Sequence, residues 1–121
     1  MSERTPYNPL DKFHLAESVA NAILGRPTEP LPLPDVFDGA GVYAIYYTGD
    51  LPIYREIAVC NRNGKFQWPI YVGKAVPAGA RRGSSVLYAP PGRVLYNRLA
   101  EHAESISAAN NLLLSDFQCR Y

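Results

Sequence analysis

The chain has 121 residues, with 12 Lys+Arg against 11 Asp+Glu for a formal net charge of +1, and 47% of its side chains are hydrophobic. That length and balance describe one soluble globular domain and exclude two independent cores. No stretch approaches the roughly 20 apolar residues that cross a bilayer, no signal peptide opens the chain, and Cys60 and Cys119 lack the spacing of a zinc site or a disulfide framework, so no membrane association and a reducing, cytoplasmic setting are expected.

The first element is a helix from Asn8, a plausible N-cap, and Pro9 at its first position to a stop at Gly25 and Pro27. Leu10, Phe13, Ala16, Ala20, Ile23 and Leu24 recur at three- and four-residue steps, which makes the helix amphipathic and its stripe a core face. Pro27, Pro30, Pro32 and Pro34 then fix φ and remove backbone donors, giving an extended tether. Residues 41–48 alternate β-branched and aromatic side chains before the turn signal Gly49-Asp50, and read as a strand. Pro52 at a first helical position, with Ile53 and Ile57 one turn apart, favours a short helix over residues 52–58, a strand being the rival.

A turn is expected at residues 61–64, and a second strand over 69–73 ended by Gly73. Residues 74–92, rich in Gly and Pro and carrying Arg81-Arg82, form a long loop of the kind that is functional or disordered in compact domains. The helical period returns over residues 93–106, where His102 lies inside the sector of Leu95, Leu99 and Ile106 and Arg98 on its edge, so both are expected to face inward. A core histidine and a snorkelling arginine are the structural alternative. Asn110-Asn111 punctuates the chain, and residues 112–121 read as a strand that stops with no turn, cap or polar tail, as a truncated domain would.

The small net charge hides an asymmetry. Residues 1–52 sum to −4, whereas residues 53–98 carry eight basic side chains against Glu56 alone, a net of +7. The same block holds Tyr54, Phe66, Trp68, Tyr71, Tyr88 and Tyr96, and basic residues interleaved with aromatics suit a surface that meets phosphates and bases. A solvated face with an accidental imbalance is the plainer reading of a charge run.

Gly41-Val42-Tyr43, then Tyr71-Val72-Gly73-Lys74, then Arg98 on the next helix, in that order and with a basic loop between, resembles the GIY-YIG nuclease superfamily. His102 one turn after the arginine, the N-terminal helix with its proline tether, and residues 115–121 resemble the branch of type II restriction endonucleases that cleave GC-rich palindromes. The resemblance implies an α+β fold, a small antiparallel or mixed sheet flanked by helices, with residues 1–38 as helix and tether and 39–121 as a nuclease-like domain shortened at its C-terminus. It implies Mg²⁺-assisted hydrolysis of double-stranded DNA by a homodimer. Tyr43 would take the proton from water or pass it on, with His102 and Lys74 the groups that could assist a phenol whose free pKa is about 10. Tyr71 would orient water or phosphate, and Arg98 would stabilise the charge of the transition state. Lys65, Lys74, Arg81 and Arg82 would contact nucleic acid. The family's metal-binding glutamate follows the third strand and is expected downstream of Tyr121, so no residue here is assigned as a metal ligand. A non-catalytic DNA-binding remnant and a repair or recombination nuclease of the same superfamily are the other functions open to such a chain, and ordinary strand aromatics the other reading of the two tyrosines.

Overall fold

The computed structural model describes residues 12–62, 64–77 and 92–121, with residues 12–16 as backbone only. Its elements are α1 (Lys12–Leu24), β1 (Glu29–Pro30), β2 (Gly41–Tyr47), α2 (Arg55–Asn61), β3 (Tyr71–Ala75), α3 (Val94–Ala108) and β4 (Phe117–Arg120), with 3₁₀ turns over Pro52–Tyr54 and Leu114–Asp116. The four strands make one sheet in the order β1-β4-β2-β3, every pairing antiparallel, which is the expected α+β architecture. Among the described residues no helix is long and apolar enough to cross a membrane.

The aromatic and β-branched run of β2 becomes a central strand between β4 and β3, and Tyr43, Ala44, Ile45, Tyr46 and Tyr47 are all buried. Register sorts the side chains. Tyr43, Ile45 and Tyr47 share one face with Tyr71 and Gly73 of β3 and Phe117 and Cys119 of β4, while Val42, Ala44 and Tyr46 share the other with Val72, Lys74, Gln118 and Arg120. The first face holds the core, where Tyr43, Ile45 and Tyr47 cluster with Ala58 of α2 and with Leu95, Leu99 and Ala103 of α3. The proline-rich segment does more than tether. Glu29 and Pro30 pair with β4 as an edge strand, where a missing N–H is tolerated, and Leu31 and Leu33 enter the core.

Several expectations need correction. Of the apolar stripe expected in the N-terminal helix, Ala20 and Leu24 are exposed instead of packed into the core, and with Ile23 and Val19 they border an apolar cleft of about 690 Å³ against Val42, Ala44, Tyr46 and Val72 of the second sheet face, while the side chains of Leu10, Phe13 and Ala16 lie outside the described residues. Residues 52–61 are helical, as favoured, but begin as a 3₁₀ turn and run on to Asn61, a buried helix residue instead of a turn residue. β3 starts at Tyr71 and passes through Gly73 to Ala75, because Gly73 serves close packing and does not terminate the strand. The expected strand over residues 112–121 splits into a 3₁₀ turn and β4, since the Asp116 N–H bonds the Leu113 carbonyl and no partner strand. The start of the N-terminal helix at Asn8 and Pro9, and Arg81 and Arg82 in the long loop, lie outside the described residues.

Candidate active site

Two backbone hydrogen bonds tie the entry of β2 to the start of α3. The Gly39 N–H donates to the Gly92 carbonyl at 2.9 Å, and the Leu95 N–H, one of the donors that a helix start leaves free, donates to the Gly39 carbonyl at 3.2 Å. From this clasp, seven residues of helix to His102 and four of strand to Tyr43 each cover roughly 10–13 Å. Strand and helix thereby deliver the two side chains to one place.

There the Tyr43 hydroxyl and Nε2 of His102 are 2.7 Å apart. Tyr43 is buried, His102 is half-buried and Tyr71 is about half exposed, so the three form a passage from core to solvent. Tyr71 closes the cluster, its ring centroid 6.0 Å from Tyr43 and 4.7 Å from His102. Gly73 makes the arrangement possible: a Cβ there would stand 2.6 Å from the Tyr43 hydroxyl oxygen and 2.9 Å from Cε1 of Tyr71. Sequence alone shows Gly73 as a motif residue and not as the space that Tyr43 fills.

Burial, reinforced by Tyr71 alongside, pushes the Tyr43 phenol up to about 12, with Arg98 pulling the other way. The His102 imidazole is lowered from 6.5, first by burial and then by the Arg98 guanidinium, with Glu101 opposing. Both shifts favour neutral partners at pH 7. A neutral imidazole with its proton on Nδ1 presents Nε2 as the acceptor of the phenolic proton, so the pair can carry a proton inward from whatever meets the tyrosine oxygen.

Arg98 does not face inward as expected. Its side chain is 53% exposed and holds Glu101 loosely, at 3.4 Å. A long side chain at the edge of an apolar sector extends into water while its stem packs. Arg98, Glu101, His102 and Ser105 line a cleft of about 160 Å³, and Arg98 and Glu101 also border a neighbouring one of about 370 Å³ with Lys74 and Asn97. The i,i+3 spacing of Arg98 and Glu101 is the sequence signal for their pairing. Lys74 alternates to the sheet face opposite Tyr43 and reaches the site only at the edge of β3, leaving His102 as the group in contact with the phenol. Lys65 is exposed on the turn after α2, with no contact to the cluster among the described residues.

The described residues do not build a metal centre, for among them no three His, Cys, Asp or Glu side chains converge. No curated protein matches the chain. Residues 35–121 match the Eco29kI GIY-YIG domain, a restriction endonuclease family, and the chain belongs to it.

Proposed function

We propose that the protein is a type II restriction endonuclease that hydrolyses phosphodiester bonds in a GC-rich palindrome of double-stranded DNA, acts as a homodimer and works in the cytoplasm. The observation that carries the mechanism is the 2.7 Å contact between the Tyr43 hydroxyl and His102. A phenol pushed up to about 12 is protonated at neutral pH, so Tyr43 acts as a relay. Its oxygen takes a proton from the attacking water as its own proton passes to Nε2 of His102. Tyr71, at the solvent end of the cluster, orients the water or the phosphate. Arg98, exposed and weakly paired, leaves Glu101 for the phosphate and stabilises the charge that builds on its oxygens. Lys65, Lys74, Arg81 and Arg82 meet neighbouring phosphates. Mg²⁺ belongs to this reading through the family alone, with its carboxylate expected downstream of Tyr121. Among the described residues no three His, Cys, Asp or Glu side chains converge to hold it. The homodimer follows from the palindrome, because a two-fold site is matched by a two-fold protein. The two free cysteines, one buried and one exposed, suit a reducing compartment.

The want of a carboxylate cluster among the described residues favours one second reading, a DNA-binding remnant without catalysis. Incubation of the chain with mixed DNA and Mg²⁺, alone and with a C-terminal segment carrying a metal-binding carboxylate appended, separates the readings. Discrete fragments support the restriction enzyme. A smear points to a repair or recombination nuclease, and binding without cleavage in both proteins to the remnant. A monomer on a palindromic duplex in sedimentation would count against the restriction role.

A further inference from the structure

Six aromatic residues punctuate the basic block, and among the five that are described the fold accounts for all but one. Tyr54 packs edge-on against Tyr47, Phe66 against Tyr46, and Tyr96 against Phe37. Tyr71 belongs to the tyrosine–histidine cluster, and Tyr88 lies outside the described residues. That leaves Trp68, which is 60% exposed and makes no ring contact among the described residues.

The backbone that carries this indole is firmly held. Asn61, fully buried, donates from Nδ2 to the carbonyls of Trp68 at 2.9 Å and Tyr47 at 3.1 Å, and its Oδ1 accepts the Trp68 N–H at 3.3 Å. Two residues earlier, the Phe66 carbonyl accepts from buried Arg120, which also donates to the Tyr46 hydroxyl at 3.1 Å and the Arg26 carbonyl at 2.9 Å. Two buried polar side chains thus fix a surface segment whose Lys65, Gln67 and Trp68 are exposed. A segment ordered beforehand loses little conformational freedom when it meets a partner.

Its place decides the partner. Trp68 precedes Tyr71 by three residues on the chain entering β3, at most about 10 Å of extended backbone, and β3 is an edge strand of the sheet among the described residues. The major groove of duplex DNA is alone about 12 Å wide, so a duplex that brings a phosphate to Tyr71 and Arg98 spans that distance along the edge. We propose that Trp68 is a DNA-backbone contact beside the cleavage site, its indole N–H donating to a phosphate oxygen and its ring lying on the adjoining sugar, with Lys65 meeting the next phosphate. The inference rests on the reading of the protein as a DNA-cleaving enzyme. Contacts of this kind carry no base information. Trp68 therefore sets the register of the strand at Tyr71, and recognition lies elsewhere.

Trp68 is the single tryptophan of the chain, so the emission of the unaltered protein reports on this position alone. Titration with unlabelled duplex in the absence of metal follows that emission and its quenching by acrylamide, while the anisotropy of a labelled copy of the same duplex follows binding. The expected result is an emission change and acrylamide protection on the same isotherm as the anisotropy. Trp68→Phe, which keeps a ring and loses the donor, should weaken binding about tenfold, and equally for palindromic and scrambled duplexes. Binding by anisotropy with unchanged emission and quenching would overturn the role of Trp68 and leave DNA binding intact. Failure of both signals would overturn the DNA reading and this inference together. An emission change driven by protein concentration alone would assign the indole to self-association and likewise overturn the proposal.

Discussion

A buried phenol hydrogen-bonded to a half-buried imidazole is a poor base in isolation and a competent relay as a pair, and the sign of each shift says how to test it. The imidazole must be neutral to accept, and its pKa lies below 6.5 chiefly through burial and secondly through Arg98. Arg98→Gln removes the nearby cation and should raise the His102 pKa, though not past 6.5 because burial remains. Glu101→Gln removes the opposing anion and should lower it further, so the acid limb of cleavage moves to lower pH. Titration of the imidazole proton resonances by NMR reads both, and shifts of the same sign in the two variants would refute this electrostatic account. Tyr43→Phe deletes one oxygen and should slow cleavage by about 10²–10⁴-fold, the usual range for general acid–base catalysis, with circular dichroism unchanged. The meeting of Tyr43, Tyr71 and His102 is legible in sequence from two strand tripeptides and a histidine inside a helix's apolar sector. The exposure of Arg98 is not, since angular position on a helix does not tell how far a long side chain reaches.

At the level of elements, β3 and the segment that leads into it hold the site together. A methyl group at position 73 would collide with Tyr43, its Cβ 2.7 Å from the ring carbon that bears the hydroxyl. Gly73→Ala should therefore push the ring off His102, with cleavage falling far more than stability, and with a His102 titration changed even without DNA. An unaltered titration would mean that the ring has room to yield. Asn61→Ala removes three hydrogen bonds of a fully buried side chain and leaves backbone groups of Tyr47 and Trp68 without partners. Its cost should be about 1–3 kcal/mol, read as a lower midpoint in thermal or urea unfolding. The sequence shows where β2 and α3 lie because their periods are strong over many residues. It runs the C-terminal strand back to residue 112, ahead of the 3₁₀ turn at Leu114–Asp116 that precedes β4, and it misplaces Asn61 because Asn is a turn signal only when its amide stays near its own backbone. Here the amide reaches from α2 to the end of β2 and to the segment that leads into β3. The edge strand at Glu29–Pro30 is equally invisible, for two residues carry no period and their pairing is set by β4.

Over the whole molecule, a net charge of +1 conceals a chain divided into a block of −4 over residues 1–52 and one of +7 over residues 53–98. Folding does not leave these cations equivalent. Arg62 is held by Asp50 at 2.7 Å and donates to the carbonyls of Thr48 and Gly49, and Arg93 stands 3.7 Å from Asp38. Lys65 and Lys74 are exposed and make no ion pair among the described residues. DNA affinity should fall steeply with salt as counterions are released, and the steepness should follow this division, not the count of basic residues. Lys65→Ala and Lys74→Ala should each reduce the slope of log K against log salt by about one, and Arg81→Ala with Arg82→Ala by up to about two if both touch phosphates. Arg62→Ala should leave the slope unchanged and instead lower the thermal midpoint, since two carbonyls lose a charged donor worth about 1–2 kcal/mol together. Anisotropy titrations across a salt series, with melting curves of the same proteins, read both quantities. A slope that drops for Arg62→Ala as much as for Lys65→Ala would mean that the ion pair with Asp50 opens on DNA and that the basic block binds as an undivided surface.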